Sequence, residues 1–431
     1  RIGPCSHVYY WSVDVVESRN QTRKVVTCFT LAVGVVLQSV ASSYGQTDSS
    51  LPALPGSNHP STRLNEHRVA SLDSRTWSAE QRSIAEDYVR SGHGGNGLAV
   101  LLRIPELAAA VHPFLAYTSH DSSLAPRHRE ILILRTAWLH QNAYLWAHYA
   151  SSARSAGLTT RDIRRIAAGP DAGGWTGFDA VLIRFADELF RNSSVSDATW
   201  AAVSAEYNVF NQIDAVMTVA EFTTLSMVFN AFGVQPDSLT SDRLPADIPY
   251  EVVVPIREQA LTSPRIDPVG GPGLNVSRTI GRHPQLSRVW GGNTNYVNRG
   301  NVRPSMSPLL PHDRELLILR IGWNCQAEYE WAKHVGSVGR AREHGLEPRW
   351  IAEGPTFHRW EPYEMALLTA ADELYRDSTV SDDTWNELSS YYDTRKMMSI
   401  VMTVATYRFV SMTLNAFGVQ LQPDDEGFPT L

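Results

Sequence analysis

Glu330 and His334 stand four residues apart, with Tyr329 and Trp331 beside them and Glu315 a short way upstream. On a helix, side chains at that spacing share a face and can meet. Two carboxylates and an imidazole supply proton donors and acceptors that burial and mutual charge can tune toward neutral pH. Arg320 can neutralise a carboxylate-bearing ligand, and Tyr329, Trp331 and Cys325 are placed to line a pocket near the pair. The same residues also have a plain structural use. A Glu four before a His is a common surface pair, stabilising a helix by only a few tenths of a kcal/mol, and Glu315 with Arg320 can form a structural ion pair.

The elements that must carry this set read as helices. Pro311 opens one holding Leu316, Leu317, Leu319 and Ile321, since proline suits the first helical position. It is expected to pause near Asn324, a good N-cap for the next helix. That next helix carries Tyr329, Trp331, His334 and Val335 and is expected to end just before Gly345. An antiparallel return would bring Glu315 to His334. Further helices are expected around Asp372 to Tyr375, after a Ser381 cap with Trp385 and Leu388, and from Met398 to Phe417, stopping at Gly418. Strand-like alternation is scarce, so the fold class is all-α.

The chain repeats itself. Arg129 to Arg135 returns as Arg314 to Arg320, Asn96 to Leu107 as Asn275 to Leu286, Ala186 to Trp200 as Ala371 to Trp385, and Asn230 to Gln235 unchanged as Asn415 to Gln420. Four matches in one order predict duplication of a whole module, because solenoid units are only ~20–50 residues long. The copies are expected over 65–245 and 246–425, with Asp247 to Pro308 serving as the entry arm of the second. The first copy keeps Glu130 and Arg135 but has Leu145 and Tyr149 where the second has Glu330 and His334. Leu145 cannot shuttle protons, so the first copy reads as a structural partner, or else as a remodelled pocket using His140 or His148. The stretch from Trp331 to Gly345 is also three residues longer than its counterpart, Trp146 to Gly157.

At 431 residues there is room for two domains with cores of their own. The net charge of −7, with no long basic run, argues against a nucleic-acid partner. Arg23-Lys24 precede an apolar run from Val25 to Val40 and then Ala41, Ser42 and Ser43. That is the layout of a secretory signal over 23–42, and the run is shorter than the ~20 residues of a spanning helix. Residues 1–22 read as an extension upstream of the true start and 43–64 as a disordered leader. The expectation is an exported protein, periplasmic or secreted, without stable membrane association once the signal is cut. Cleavage would remove Cys5 and Cys28, leaving Cys325 alone and no dithiol, disulfide or cysteine metal cluster.

The Arg-Glu-Leu-x-Ile-Leu-Arg frame followed by Tyr-Glu-Trp-Ala-x-His resembles the carboxymuconolactone decarboxylase family of the alkylhydroperoxidase D-like superfamily. Leu274 to Pro284 resembles that family's entry helix. The resemblance implies helical modules that pair and then assemble about a threefold axis. Here the tandem would form an intrachain pseudo-dimer, and the oligomer would be a trimer of such chains. In the family's peroxidase branch, Glu is followed by Cys-x-x-Cys-x-x-x-His. Those positions fall here on Glu315, Ala327, Glu330 and His334, so both thiols are missing and dithiol chemistry is excluded. The decarboxylase branch has Glu and His there, as this chain does. The resemblance then implies Glu330 and His334 as a proton-transfer pair, Glu315 as the group orienting His334, and no metal or organic cofactor. Decarboxylation leaves an extended enolate that needs charge stabilisation and then a proton at carbon. The expected function is therefore a decarboxylase-like enzyme for a small carboxylated or lactone-type substrate. The alternatives are a non-enzymatic binding or scaffold protein, and a single-thiol peroxidase-like protein using Cys325.

Overall fold

Helix starts and stops in this chain are set by local chemistry that the two halves share. Pro126 and Pro311 occupy the first turns of α4 (Pro126–Leu139) and α12 (Pro311–Asn324), where the missing N–H costs nothing. Ser196 and Ser381 cap α8 (Asp197–Glu206) and α16 (Asp382–Ser389) by accepting from Thr199 N and Thr384 N. Asn208 and Asp393 cap α9 (Val209–Phe232) and α17 (Thr394–Phe417), and Gly233 and Gly418 end these two in the left-handed region at φ 69° and 66°. The computed structural model describes residues 64–175, 177–250, 260–299, 303 and 306–431. The expected extension at 1–22, signal at 23–42 and leader at 43–64 lie outside them, Leu64 excepted.

The first half also contains α1 (Ala79–Arg90), α2 (Asn96–Leu101), α3 (Pro105–Ala116), α5 (Ala143–Ser155), α6 (Thr160–Ala168) and α7 (Asp179–Asn192). The second contains α10 (Asn275–Ile280), α11 (Gly292–Asn298), α13 (Glu328–Val335), α14 (Pro348–Glu353) and α15 (Pro362–Asp377). Among the described residues there is no β-strand, and the fold is all-α.

Helices α9 and α17 form the centre, packed on each other and on α4 and α12. Both are long and apolar enough to cross a membrane, yet their most apolar windows are 94% and 100% buried inside the protein. A helix apolar all round must be buried on every side, and the fold achieves that by wrapping the shorter helices around this pair. Several threonines within them return their hydroxyls to the preceding turn, as Thr218 does to Asp214 O and Thr403 to Ser399 O.

The halves clasp each other reciprocally. Arg68, whose backbone N–H bonds Phe232 O at the end of α9, reaches across to Val380 O at 2.8 Å and to the Asp382 carboxylate, and lies over Trp385. Arg265, bonded in the same way to Phe417 O, reaches Val195 O at 2.6 Å and Asp197 at 2.5 Å, and lies over Trp200. Arg408 of α17 is fully buried between the halves, donating to Tyr375 O and Phe190 O.

Two boundaries differ from the sequence expectation. Helix α13 ends at Val335, not before Gly345, because the chain turns at Gly336 and runs through residues 336–340 into a short 3₁₀ turn, Ala341–His344. The three additional residues of the second half therefore lie beyond a shortened helix. Asn324 does not cap α13: the cap position is Ala327, without a side-chain bond, and Asn324 donates instead to Asp372 Oδ1 at 2.7 Å. In the first half the cap is Asn142, which accepts from Leu145 N.

Candidate active site

Helices α12 and α13 run back on each other through a three-residue turn in which Gln326 takes φ 54°. This return carries Glu315 to the face of α13 that presents Glu330 and His334. His334 Nδ1 lies 2.5 Å from Glu315 Oε2, and its Nε2 lies 2.9 Å from Glu330 Oε1. The exposures of the three residues are 1%, 6% and 3% in chain order, so the cluster is closed to solvent.

Electrostatics fix its protonation. Burial alone would push the imidazole pKa down, but Glu315, and then Glu330, outweigh it and hold His334 up at about 10. With both ring nitrogens facing carboxylates, His334 is an imidazolium that donates on each side. Burial would raise the Glu315 carboxyl, but His334 and Arg314 together bring it below its ordinary value. Arg314 contributes Nε and Nη2 to Glu315 Oε1, at 3.0 and 2.9 Å. The Tyr407 ring meets His334 edge-on, with centroids 4.9 Å apart, and its hydroxyl donates to Asn298 Oδ1.

Gly339 shuts the cluster from the outside. A Cβ there would lie 2.2 Å from Glu315 Oε2 and 2.8 Å from His334 Cα, so only glycine lets residues 336–340 lie this close. Gly339 is the buried member of that segment, and its neighbours are exposed.

The remaining sequence candidates fall elsewhere. Arg320 is held by Asp372 through Nε and Nη2 at 2.6 and 2.8 Å, and its Nη1 donates to Ile351 O and Ala352 O. It braces α12 against α14 and α15 and has no nitrogen left for a ligand. Trp331 packs between Trp323 and Phe428 and is 1% exposed. The Tyr329 hydroxyl accepts from Val276 N at 3.3 Å, with Lys333 over the ring. Tyr329 does line a cavity of about 370 Å³ with Glu328, Leu261, Asn415 and Gln420, but none of Glu315, Glu330 and His334 borders it. Cys325 is 1% exposed, and burial pushes its thiol up, which is the wrong direction for a reactive thiolate. Tyr407, Arg314 and Gly339 were missed. A tyrosine and an arginine side by side in an apolar helix were the available signal for Tyr407, and adjacency to Glu315 was the signal for Arg314.

The first half holds a different set at the matching place. Tyr149 stands where His334 stands, and its hydroxyl meets His93 Nε2 and Ser119 Oγ, each at 3.0 Å. His93 arrives from the α1–α2 turn, and Ser119 from a π-helical turn, Tyr117–Asp121, that follows α3. The other ring nitrogen, His93 Nδ1, meets Ser91 Oγ, which also meets His112 Nε2 at 2.9 Å. Burial, then His148, His120 and His112, push the His93 pKa down to about 3, so the ring is neutral. Glu130 accepts from Ser152 at 2.8 Å and is raised to about 7 by burial. His148 borders a small cavity of about 20 Å³ beside His93 and Tyr149, enough for about one water. His140 is not part of this set; it lies between the halves against Ser378 and Thr223.

The class that fold and site define is an all-helical protein with a buried carboxylate–imidazolium–carboxylate cluster on a helix return. Residues 105–184 match the family model described as the carboxymuconolactone decarboxylase family. The match runs from α3 into α7 and includes Glu130 and Arg135 of the first half. No curated protein and no solved structure matches the chain.

Proposed function

We propose that the second half is a carboxymuconolactone decarboxylase-like enzyme acting on a small carboxylated or lactone-type substrate by general acid–base catalysis. One observation carries this reading: His334 is held as an imidazolium between Glu315 and Glu330, almost wholly out of water. Loss of carbon dioxide breaks a carbon–carbon bond and leaves the electron pair in an enolate. His334 Nε2 passes its proton through Glu330 to that carbon, and the neutral ring then regains a proton from water. Glu315, gripped by Arg314, keeps the ring oriented. The family match at 105–184, in the first half, supports the reaction class.

The reciprocal Arg68 and Arg265 contacts and the repeated helix order support two fused modules acting as an intrachain pair, with the first as the partner that has lost the Glu330 and His334 positions. We further propose the trimer of such chains, which sedimentation would register as about three times the 47.9 kDa chain mass.

The test is carbon dioxide release from lactone carboxylates and β-keto acids by the full chain, with Glu330→Gln alongside. Loss of a general acid–base group costs roughly 10²–10⁴-fold in rate, so turnover should fall by at least about 100-fold. Loss of the Glu330 and His334 positions in the first half, where Leu145 and Tyr149 stand, favours a second reading, a binding protein without turnover; a folded chain inert to every substrate tested would select it.

A further inference from the structure

Two arginines that brace this fold, Arg320 and Arg135, have every nitrogen engaged. Arg320 places Nε and Nη2 on Asp372 and Nη1 on two carbonyls. Arg135 does the same, with Nε and Nη2 on Asp187 and Nη1 on Ile166 O and Ala167 O at 2.8 Å each. Arg314 departs from this pattern. Its Nε and Nη2 both go to the single oxygen Glu315 Oε1, while Nη1 is buried with no hydrogen-bond partner. The side chain is only 8% exposed, so bulk solvent reaches little of it. Its first-half counterpart, Arg129, sends the same Nη1 toward His120 O at 3.5 Å but leaves its Nε without a hydrogen-bond partner, as Arg408 does.

Buried donors in native proteins are nearly always paired, and one left unpaired on a charged group calls for an explanation. Arg314 bonds the carboxylate that orients His334, and Tyr407, against the His334 ring, feels its charge. Arg314 is thus tied to the acid–base cluster through Glu315. A guanidinium edge binds a carboxylate through charge-assisted bonds about twice as strong as those to a neutral carbonyl.

We propose that Arg314, through Nη1, is the residue that recognises a ligand carboxylate at the His334 cluster and so determines specificity for acids over neutral esters. The carboxylate it holds is one that stays on the ligand, since clamping a departing carboxylate would oppose loss of carbon dioxide. This role was assigned from sequence to Arg320, which is already fully bonded. The proposal rests on the reading of the second half as an acid–base site, but not on turnover.

The test is calorimetric binding of a γ-butyrolactone carboxylate and of its methyl ester to the full chain. Wild type should bind the acid at least about tenfold more tightly than the ester. Arg314→Gln should bind the two alike, with ester affinity little changed, and Arg314→Lys, which keeps the charge without the fork, should retain part of the preference. His334→Ala should keep the preference while losing turnover. The proposal is overturned if wild type binds the ester as tightly as the acid, if Arg314→Gln keeps the preference, or if folded wild type shows no saturable binding. An Arg314-dependent preference without turnover on any substrate would sink the decarboxylase reading and leave this one standing. Turnover with an acid preference indifferent to Arg314 would do the reverse.

Discussion

His334 Nδ1 and Glu315 Oε2 lie 2.5 Å apart, and the carboxylate that holds the ring is itself held by Arg314 through its other oxygen. Removing Glu315 thus exposes two cations to each other in a buried site. Breaking a buried pair from one side costs about 3–5 kcal/mol, so Glu315→Ala should lose stability on that scale in urea unfolding. Glu315→Gln, which keeps the shape, should lose less but lower the His334 pKa.

The same cluster sets an alkaline limit. His334 has a folded pKa of about 10, above its ordinary 6.5. Its contribution is therefore fully present below about 6.5 and is lost as pH rises through about 10. Thermal melts should fall progressively over that interval in wild type. His334→Gln should flatten this limb, and an unchanged limb in the variant would place the alkaline loss elsewhere.

On the acid side a residue of the first half contributes as well. His93 has a folded pKa of about 3, below the ordinary 6.5, chiefly because it is buried. A depressed value means stability present above about 6.5 and lost as pH falls toward 3, where the unfolded chain takes up a proton the folded one refuses. His93→Gln should cost stability near neutrality and yet lose less on acidification. Titration of the His93 ring by nitrogen NMR near pH 6 would contradict this.

Gly339 is predicted to be intolerant of any side chain. The added carbon of Gly339→Ala would meet Glu315 Oε2 at 2.2 Å, and overpacking of this kind costs about 1–3 kcal/mol. Ser337→Ala, at an exposed neighbour in the same segment, should stay within about 0.5 kcal/mol. Equal effects of the two substitutions would show that Gly339 does not close the cluster.

Much of this architecture was legible because its signals are local. Pro311, Ser381 and Gly418 announce helix ends through their own backbone chemistry, and the repeat locates α4 against α12 without knowledge of packing. The Glu315–His334 approach followed from a helix return, which spacing suggests. What was not legible depends on partners far along the chain. Asp372, 52 residues beyond Arg320, decides that Arg320 is a brace, and nothing near Arg314 in sequence reveals that its Nη1 is left over. Gly345 drew the expected end of α13 too far because a C-terminal glycine is a strong signal, and the additional residues at 336–340 offered another. The first-half set escaped notice because His93 and Ser119 come from turns outside the repeated blocks, and the position matching His334 had been vacated.

The central claim is that the His334 imidazolium is the proton donor of a reaction in the second half. The most direct test is the pH dependence of carbon dioxide release by the full chain from a γ-butyrolactone bearing two carboxylates, one of them on the carbon next to the ring carbonyl, measured beside His334→Ala. The account predicts release that persists through neutral pH, declines as pH passes about 10, and is absent from the variant at every pH. Release by His334→Ala at the wild-type rate would contradict it.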